Sequence, residues 1–295
     1  MTTPPAPVVL ITGASSGLGQ ATAELLSASG FRVFGTSRAP RPDPAQPYTM
    51  LPLDVRSDES AQACVEAVLA QAERIDVLIN NAGLGLAGAL EEASLAQAQA
   101  LFETNFFGVV RMVNAALPHM RRQRRGTIIN ISSLVGFGGS PFEGFYCASK
   151  HAIEGYSETL RQEVKSLGIH VAMVEPGGFQ SDFGRANQEP ERPISDYAAM
   201  RGRARAVFDT SIATGQSPQV IAQLILRILR TPRPRLRHLS GRDCLVFALG
   251  KRTLPEPVAE ILLRLVYRLD NRPIPEGMLV ALMNLIGVWR VGPPR

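Results

Sequence analysis

Tyr146 and Lys150 stand four residues apart, and Ser133 lies thirteen residues before the tyrosine. On a helix, positions i and i+4 share a face, so the phenol and the ammonium would project together. A free tyrosine titrates near 10 and is a poor base at neutral pH, but a neighbouring cation favours its ionised form. Such a pair can take a proton from a hydroxyl or return one to an oxygen. A serine hydroxyl beside it could hold that oxygen in place. Taken singly, the three are also what a surface tyrosine, a surface lysine and a loop serine look like.

Groups this far apart need a scaffold to bring them together. Val8 to Thr12, Arg32 to Thr36, Ile75 to Asn80, Thr127 to Ser132 and Ile169 to Val174 are short apolar runs bounded by Gly, Asn, Pro or Ser, and read as buried parallel strands. Between them lie helical patterns over Gly17 to Ala28, Asp58 to Glu73, Asn105 to Arg122 and Tyr146 to Leu167. The alternation predicts an α/β fold, a doubly wound parallel sheet in a single domain spanning residues 1–295. Ser133 then falls at a strand end, where ligands of such sheets bind. Thr12-Gly13-Ala14-Ser15-Ser16-Gly17-Leu18-Gly19 sits where the first strand hands over to the first helix, a turn whose amides could cradle a pyrophosphate. The second strand runs out at Thr36-Ser37-Arg38, with no acid to receive a ribose 2′-hydroxyl. Arg38 instead suits a 2′-phosphate, with Ser15 and Ser37 as hydroxyl partners. With 28 arginines in the chain, a solvated surface arginine is the alternative.

The spacing T-G-x-x-x-G-x-G, the segment Asn80-Asn81-Ala82-Gly83, and Ser133 followed by Tyr146-x-x-x-Lys150 together resemble the short-chain dehydrogenase/reductase family. The resemblance implies a Rossmann-like fold and hydride transfer to or from a nicotinamide while Tyr146 moves the proton and Ser133 holds the oxygen. Spacing to Tyr146 favours Ser133 over its neighbour Ser132. It also implies that Lys150 holds the nicotinamide ribose, and that Asn105 in Thr104-Asn105-Phe106 supports a proton relay; a helix N-cap is the alternative for that asparagine. Asp54 in Leu53-Asp54-Val55 resembles the family acid at the adenine amino group, and would otherwise be a capping or loop acid. Pro176-Gly177-Gly178 looks like the family loop beneath the nicotinamide. The cofactor groove would thus comprise Gly13, Ser15, Ser16, Gly17, Leu18, Gly19, Ser37, Arg38, Asp54, Val55, Asn81, Ala82, Gly83, Tyr146, Lys150, Pro176 and Gly177, with NADP(H) preferred to NAD(H). Phe34 to Arg38, Glu175 to Phe179 and a long tail look more like the 17β-hydroxysteroid dehydrogenase-like branch than the shorter acyl-carrier-protein reductases. The likeness is firm over roughly residues 7 to 230 and loose beyond.

Other features narrow the field. Hydrophobic residues make up 45% of the chain and charged residues 19%, which excludes a disordered chain and a polytopic membrane protein. Cys64, Cys147 and Cys244 are odd in number and widely spaced, and the four histidines lack ligand spacing, so neither a disulfide framework nor a metal site is expected. The N-terminus has no basic region or apolar run of signal-peptide length, making a cytoplasmic location the expectation. The net charge of +5 could suggest nucleic acid, but Arg121 to Arg125 end a helix, and the four arginines between Pro232 and Arg242 lack interleaved aromatics. Nucleic acid is therefore not expected as a partner; a homo-oligomer is.

Residues 180–215 are polar, Arg-rich and without clear period, and read as a mobile substrate lid. Pro218 to Leu229 is helical in pattern, and residues 232–295 form an extension beginning at Pro232-Arg-Pro-Arg. Residues 254–289 suggest two apolar-basic helical segments, the second at Met278 to Trp289 and too short to span a bilayer. In decreasing order of preference, these segments cap the pocket, join a dimer or lie on a membrane surface. The expected activity is interconversion of an alcohol and a ketone or aldehyde on a moderately large apolar substrate. A 3-oxoacyl reductase and a cofactor-binding sensor without turnover are the alternatives.

Overall fold

The computed structural model describes residues 5–41, 43–181 and 187–269. Seven strands form one wholly parallel sheet: β1 (Val8–Ile11), β2 (Arg32–Ser37), β3 (Thr49–Pro52), β4 (Val77–Asn80), β6 (Gly126–Ile131), β7 (Ile169–Pro176) and β9 (Arg237–Ser240). Their order is β3-β2-β1-β4-β6-β7-β9, so the winding reverses between β1 and β4, where sheets of this class bind ligands. The expected doubly wound α/β architecture is present. A second ladder pairs β5 (Gly85–Leu86) with β8 (Asn187–Gln188).

The sheet is apolar on both faces because each strand alternates its side chains between two helical layers. Leu10, Phe34, Leu78, Ile128 and Val171 share one core with residues of α2 (Asp58–Ala72), α4 (Gly108–Gln123) and α5 (Gly144–Val164). Val9, Ile11, Val33, Ile79, Ile129 and Val174 share the other with α1 (Gly17–Ala28) and, from further along the chain, Ile221 and Ile225. The even and odd positions of one strand thus serve two cores, which is why the runs read as continuously hydrophobic.

Four points of the sequence reading are resolved, two as corrected expectations and two, for Asn105 and Asp54, as capping alternatives that fall away. The stretch from residue 180 to 215 is mostly structured. After β8 a short 3₁₀ turn, Ser195–Tyr197, leads into α6 (Ala198–Thr214). This helix buries only Ala204, so it has almost no apolar stripe to detect. Its Ala, Met and Arg content favours a helix by propensity instead. Residues 182–186 lie outside the described residues.

The second point concerns Asn105, which does not cap a helix. α3 (Leu95–Phe102), unsignalled by period, continues through a π-helical turn at Glu103–Phe107 directly into α4, which places Asn105 inside a continuous helical run. Third, α7 (Pro218–Arg230) appears where expected, but the chain then forms the edge strand β9 and α8 (Arg242–Thr253), neither of them anticipated. Arg237-His-Leu-Ser carries no apolar run, because an edge strand is half covered. Fourth, Asp54 caps nothing: Ser57 caps α2 through Ser60 N. The first tail segment is α9 (Glu256–Val266), and the second, Met278 to Trp289, lies outside the described residues. Among the described residues, no helix is long and apolar enough to cross a membrane.

Candidate active site

A cleft of about 1160 Å³ opens at the carboxyl ends of the strands. Its floor is the turn between β1 and α1. Gly13 takes φ +69°, and a Cβ at Gly19 would overlap the Gly13 carbonyl. Both positions therefore require glycine, and the Ser15–Leu18 backbone borders open space. The turn is braced by Asn81, whose side-chain amide donates to the carbonyls of Thr12 (3.0 Å) and Gly13 (2.9 Å). Thr12 Oγ1 in return accepts from the amides of Asn81 and Ala82. Asn80 reaches sideways, donating to Asn130 Oδ1 at 2.8 Å, and Asn130 donates to Ser157. The Asn80–Gly83 segment is thus a set of interstrand ties as well as a groove wall.

Each groove residue expected from sequence borders this cleft except Gly19, which packs beneath the turn. Ser37 ends β2, and Arg38 follows it, exposed at the rim. Asp54 forms a double contact with Arg56, at 2.6 Å for the shortest pair. That hydrogen bonding holds its carboxyl down to about 2, with Arg38 adding to the field. Pro176 and Gly177 close the opposite wall. Here Asp243, in the first turn of α8, accepts from Gly178 N at 2.6 Å, and Gly177 N donates to the Ser240 carbonyl at 2.8 Å. Asp243 gave no sequence signal, because its partner lies 65 residues away.

Ser133, Tyr146 and Lys150, the groups expected to react, converge in the same cleft. Ser133 follows β6 and starts a short 3₁₀ turn. Tyr146 occupies the first turn of α5 and Lys150 the next, and Lys150 Nζ lies 5.6 Å from the centre of the Tyr146 ring. The Tyr146 hydroxyl is hydrogen bonded to Ser133. Lys150 Nζ donates to the Ile131 carbonyl at 2.9 Å. Burial lowers the lysine to about 8, opposed by the charge of Glu154 one turn further along α5. Tyr146 departs from the sequence expectation: it is raised above its ordinary value, first by burial and then by the nearby Glu143, with the Ser133 hydrogen bond only partly offsetting them. The Lys150 ammonium sits over the ring face and bonds a backbone carbonyl.

Asn105 is buried behind this set. Its amide donates to the Leu84 carbonyl (2.9 Å) and Ser149 Oγ (3.2 Å), while its oxygen accepts from Leu84 N (2.8 Å). Ser149 in turn donates to the Tyr146 carbonyl, linking the asparagine to the turn that carries the tyrosine. Ser132 also lines the cleft, but its Oγ is buried beside Gly136 without a hydrogen-bond partner. No cluster of three or more His, Cys, Asp or Glu among the described residues could hold a metal ion.

The segment expected to be a lid is fastened to the body of the fold at its start. Glu92, fully buried, accepts from Ala89 N at 2.8 Å and Ile194 N at 2.7 Å, and pairs with Arg201 of α6. Tyr197 donates to Glu91 at 2.5 Å.

A parallel sheet with a glycine cradle at its winding reversal and a Ser–Tyr–Lys set beside it defines a dinucleotide-binding oxidoreductase. Comparison with known proteins gives the family: residues 7–192 match the short chain dehydrogenase model, and the chain belongs to that family. It is 42% identical over 263 residues to 3-ketodihydrosphingosine reductase of Bacteroides thetaiotaomicron, covering 88% of this chain and 97% of the relative. Retinol dehydrogenase 8 of Bos taurus is 38% identical, with coverage of 79% and 81%. Estradiol 17-beta-dehydrogenase 1 of Rattus norvegicus is 34% identical, with coverage of 82% and 75%, in keeping with the branch resemblance. A solved short-chain dehydrogenase from Streptomyces avermitilis superposes with a TM-score of 0.78 at 34% identity, covering 91% of this chain and all of that one.

Proposed function

We propose that the protein is an NADP(H)-dependent reductase of a moderately large, apolar ketone, and that it runs the reverse oxidation with the same residues. The observation that carries this reading is the convergence of Ser133, Tyr146 and Lys150 in the cleft that also exposes the glycine turn. The groove fits a dinucleotide: Gly13 takes the left-handed conformation of the tight turn, the Ser15–Leu18 backbone borders the cleft, and Asn81 braces the carbonyls of Thr12 and Gly13. Ser15, Ser37 and Arg38 would hold a 2′-phosphate, and Asp54, Val55 and Ala82 would border the adenosine half. Lys150 would hold the nicotinamide ribose. When bound, the cofactor supplies or accepts the hydride.

The chain's own groups handle the proton. Because burial keeps Tyr146 protonated, its hydroxyl is set to donate to a carbonyl oxygen that Ser133 positions by hydrogen bonding. As the phenolate forms, the Lys150 ammonium beside the ring stabilises it. Asn105, tied to Leu84 and through Ser149 to the Tyr146 turn, would carry the relay that restores the proton. The lid and C-terminal helices contribute apolar side chains to the cavity, among them Phe208, Ile212, Val246, Phe247, Leu263 and Val266. Ketodihydrosphingosine, retinol and estradiol, for which the relatives are named, are likewise extended, mostly apolar compounds.

Tyr146→Phe tests the assignment. The variant should bind NADPH like the parent yet lose at least 100-fold in kcat for any ketone the parent reduces, in line with the contribution of a general acid. Full turnover by the phenylalanine variant would remove the proton-transfer role.

A further inference from the structure

Glu143 is out of place in a cleft built for apolar compounds. It immediately precedes α5, three residues before Tyr146, and borders the cavity. Its Oε2 accepts from Ser140 Oγ at 2.6 Å, and Ser140 Oγ lies 2.7 Å from the hydroxyl of Tyr267, delivered from just beyond α9. Two segments far apart in sequence, Ser140–Glu143 and the stretch just beyond α9, thus build one polar node on the cavity wall. Phe142, just before it, takes φ +64°, a left-handed conformation that a bulky residue adopts at a cost of about 1 kcal/mol or more. The nearest influence of opposite sign is Arg205, which acts through space and is itself paired with Glu189 (2.8 Å) and Asp209 (2.9 Å).

A half-buried carboxylate on the wall of a mostly apolar cavity, served by one neutral hydroxyl, is poorly compensated. Burial accordingly pushes Glu143 above the usual carboxylate range, and its charge in turn opposes ionisation of both Tyr146 and Tyr267. A cation entering the cavity would relieve all three penalties together. An ammonium suits the node, since it brings three donors and a full positive charge to a carboxylate flanked by hydroxyls.

We propose that Glu143, Ser140 and Tyr267 form a subsite for an ammonium group carried by the substrate near its reacting carbon, so that the enzyme selects an apolar amino ketone or amino alcohol over the same chain without the amine. The inference rests on reading this cleft as the place of carbonyl chemistry. Bound there, the ammonium would neutralise the charge that opposes the Tyr146 phenolate, so the selected substrate would also assist the proton transfer.

The test has a turnover arm and a binding arm. In the first, kcat/KM is measured for a long-chain 2-amino-3-ketone and the matching 3-ketone, with the parent, Glu143→Gln and Ser140→Ala. The glutamine can still accept from Ser140 but carries no charge. A charge-assisted hydrogen bond is worth about 1.5–3 kcal/mol, so Glu143→Gln should cost the amine substrate roughly 10- to 150-fold and the plain ketone less than threefold. Ser140→Ala should shift the same ratio by a smaller factor. Equal losses on both substrates, or no preference by the parent, would overturn the subsite.

In the second arm, decylamine and decanol are titrated calorimetrically into the same proteins. The parent should bind the amine at least tenfold more tightly, and Glu143→Gln should abolish that difference. Equal binding overturns the proposal even if no ketone is turned over. An amine preference accompanied by full turnover in Tyr146→Phe would leave the subsite standing and sink only the mechanism beneath it.

Discussion

Glu175→Gln should make the protein more stable, and increasingly so as the pH rises. Glu175 lies on β7, fully buried, near Glu154 of α5, Arg237 of β9 and Cys244 of α8, with Glu158 of α5 sharing the same arginine. A single guanidinium serves the group. Arg237 approaches Glu175 Oε1 at 3.3 Å, Glu154 Oε2 at 3.1 Å and Glu158 at 2.7 Å, and is itself part-exposed. Burial first, and the charge of Glu154 second, raise the Glu175 carboxyl from 4.5 to about 8. A carboxyl raised on folding costs nothing below its unfolded value, where both states hold the proton. The cost grows between pH 4.5 and 8, where only the unfolded chain has released it, and is constant above 8. At about 1.4 kcal/mol per unit, the ceiling at pH 7 is roughly 3 kcal/mol, less whatever local relaxation recovers. Glutamine carries the neutral shape at every pH and can donate to Glu154. Urea midpoints measured from pH 5.5 to 9 should fall more steeply for the parent than for the variant, the two diverging up to pH 8 and running parallel beyond. Parallel curves throughout, or a variant less stable at pH 8.5, would refute the protonated-acid assignment.

Two further perturbations address the cofactor and the lid. Arg38→Ala should weaken NADPH binding by roughly 10- to 100-fold and NADH binding by less than threefold, measured by fluorescence titration; equal losses would contradict the 2′-phosphate role. Glu92→Gln removes the charge that pairs with Arg201 and holds Ile194, and should raise KM for apolar substrates and speed proteolysis between residues 187 and 214. Unchanged cleavage there would show that the latch contributes nothing to closure.

What could be read in advance follows the range of the interactions. Five strands of the central sheet, β1, β2, β4, β6 and β7, were legible because both their faces are buried and each run is therefore largely apolar; the edge strand β9 was not. Tyr146 and Lys150 were legible because their geometry is one helical turn. Asp243, Tyr267 and Ser140 were not, since each acquires its role from contacts 65 or 127 residues away or from a loop with no period. Helix α6 escaped for a different reason: with Ala204 as its one buried residue, it is held by ion pairs and propensity rather than by an apolar stripe. The ammonium beneath Tyr146 was expected to acidify it, a correct sign for the pair alone, but desolvation acts on the same phenol and exceeds it.

The β5–β8 ladder and the Glu92 clasp bear on traffic into the cavity. Because the segment that begins at β8 is stitched to the body by backbone pairing and a buried ion pair, a wide swing of the whole segment would have to undo several bonds at once. Among the described residues, apolar side chains meet water instead on the C-terminal helices, where α9 buries no residue and Leu249, Val258 and Ile261 are in contact with solvent.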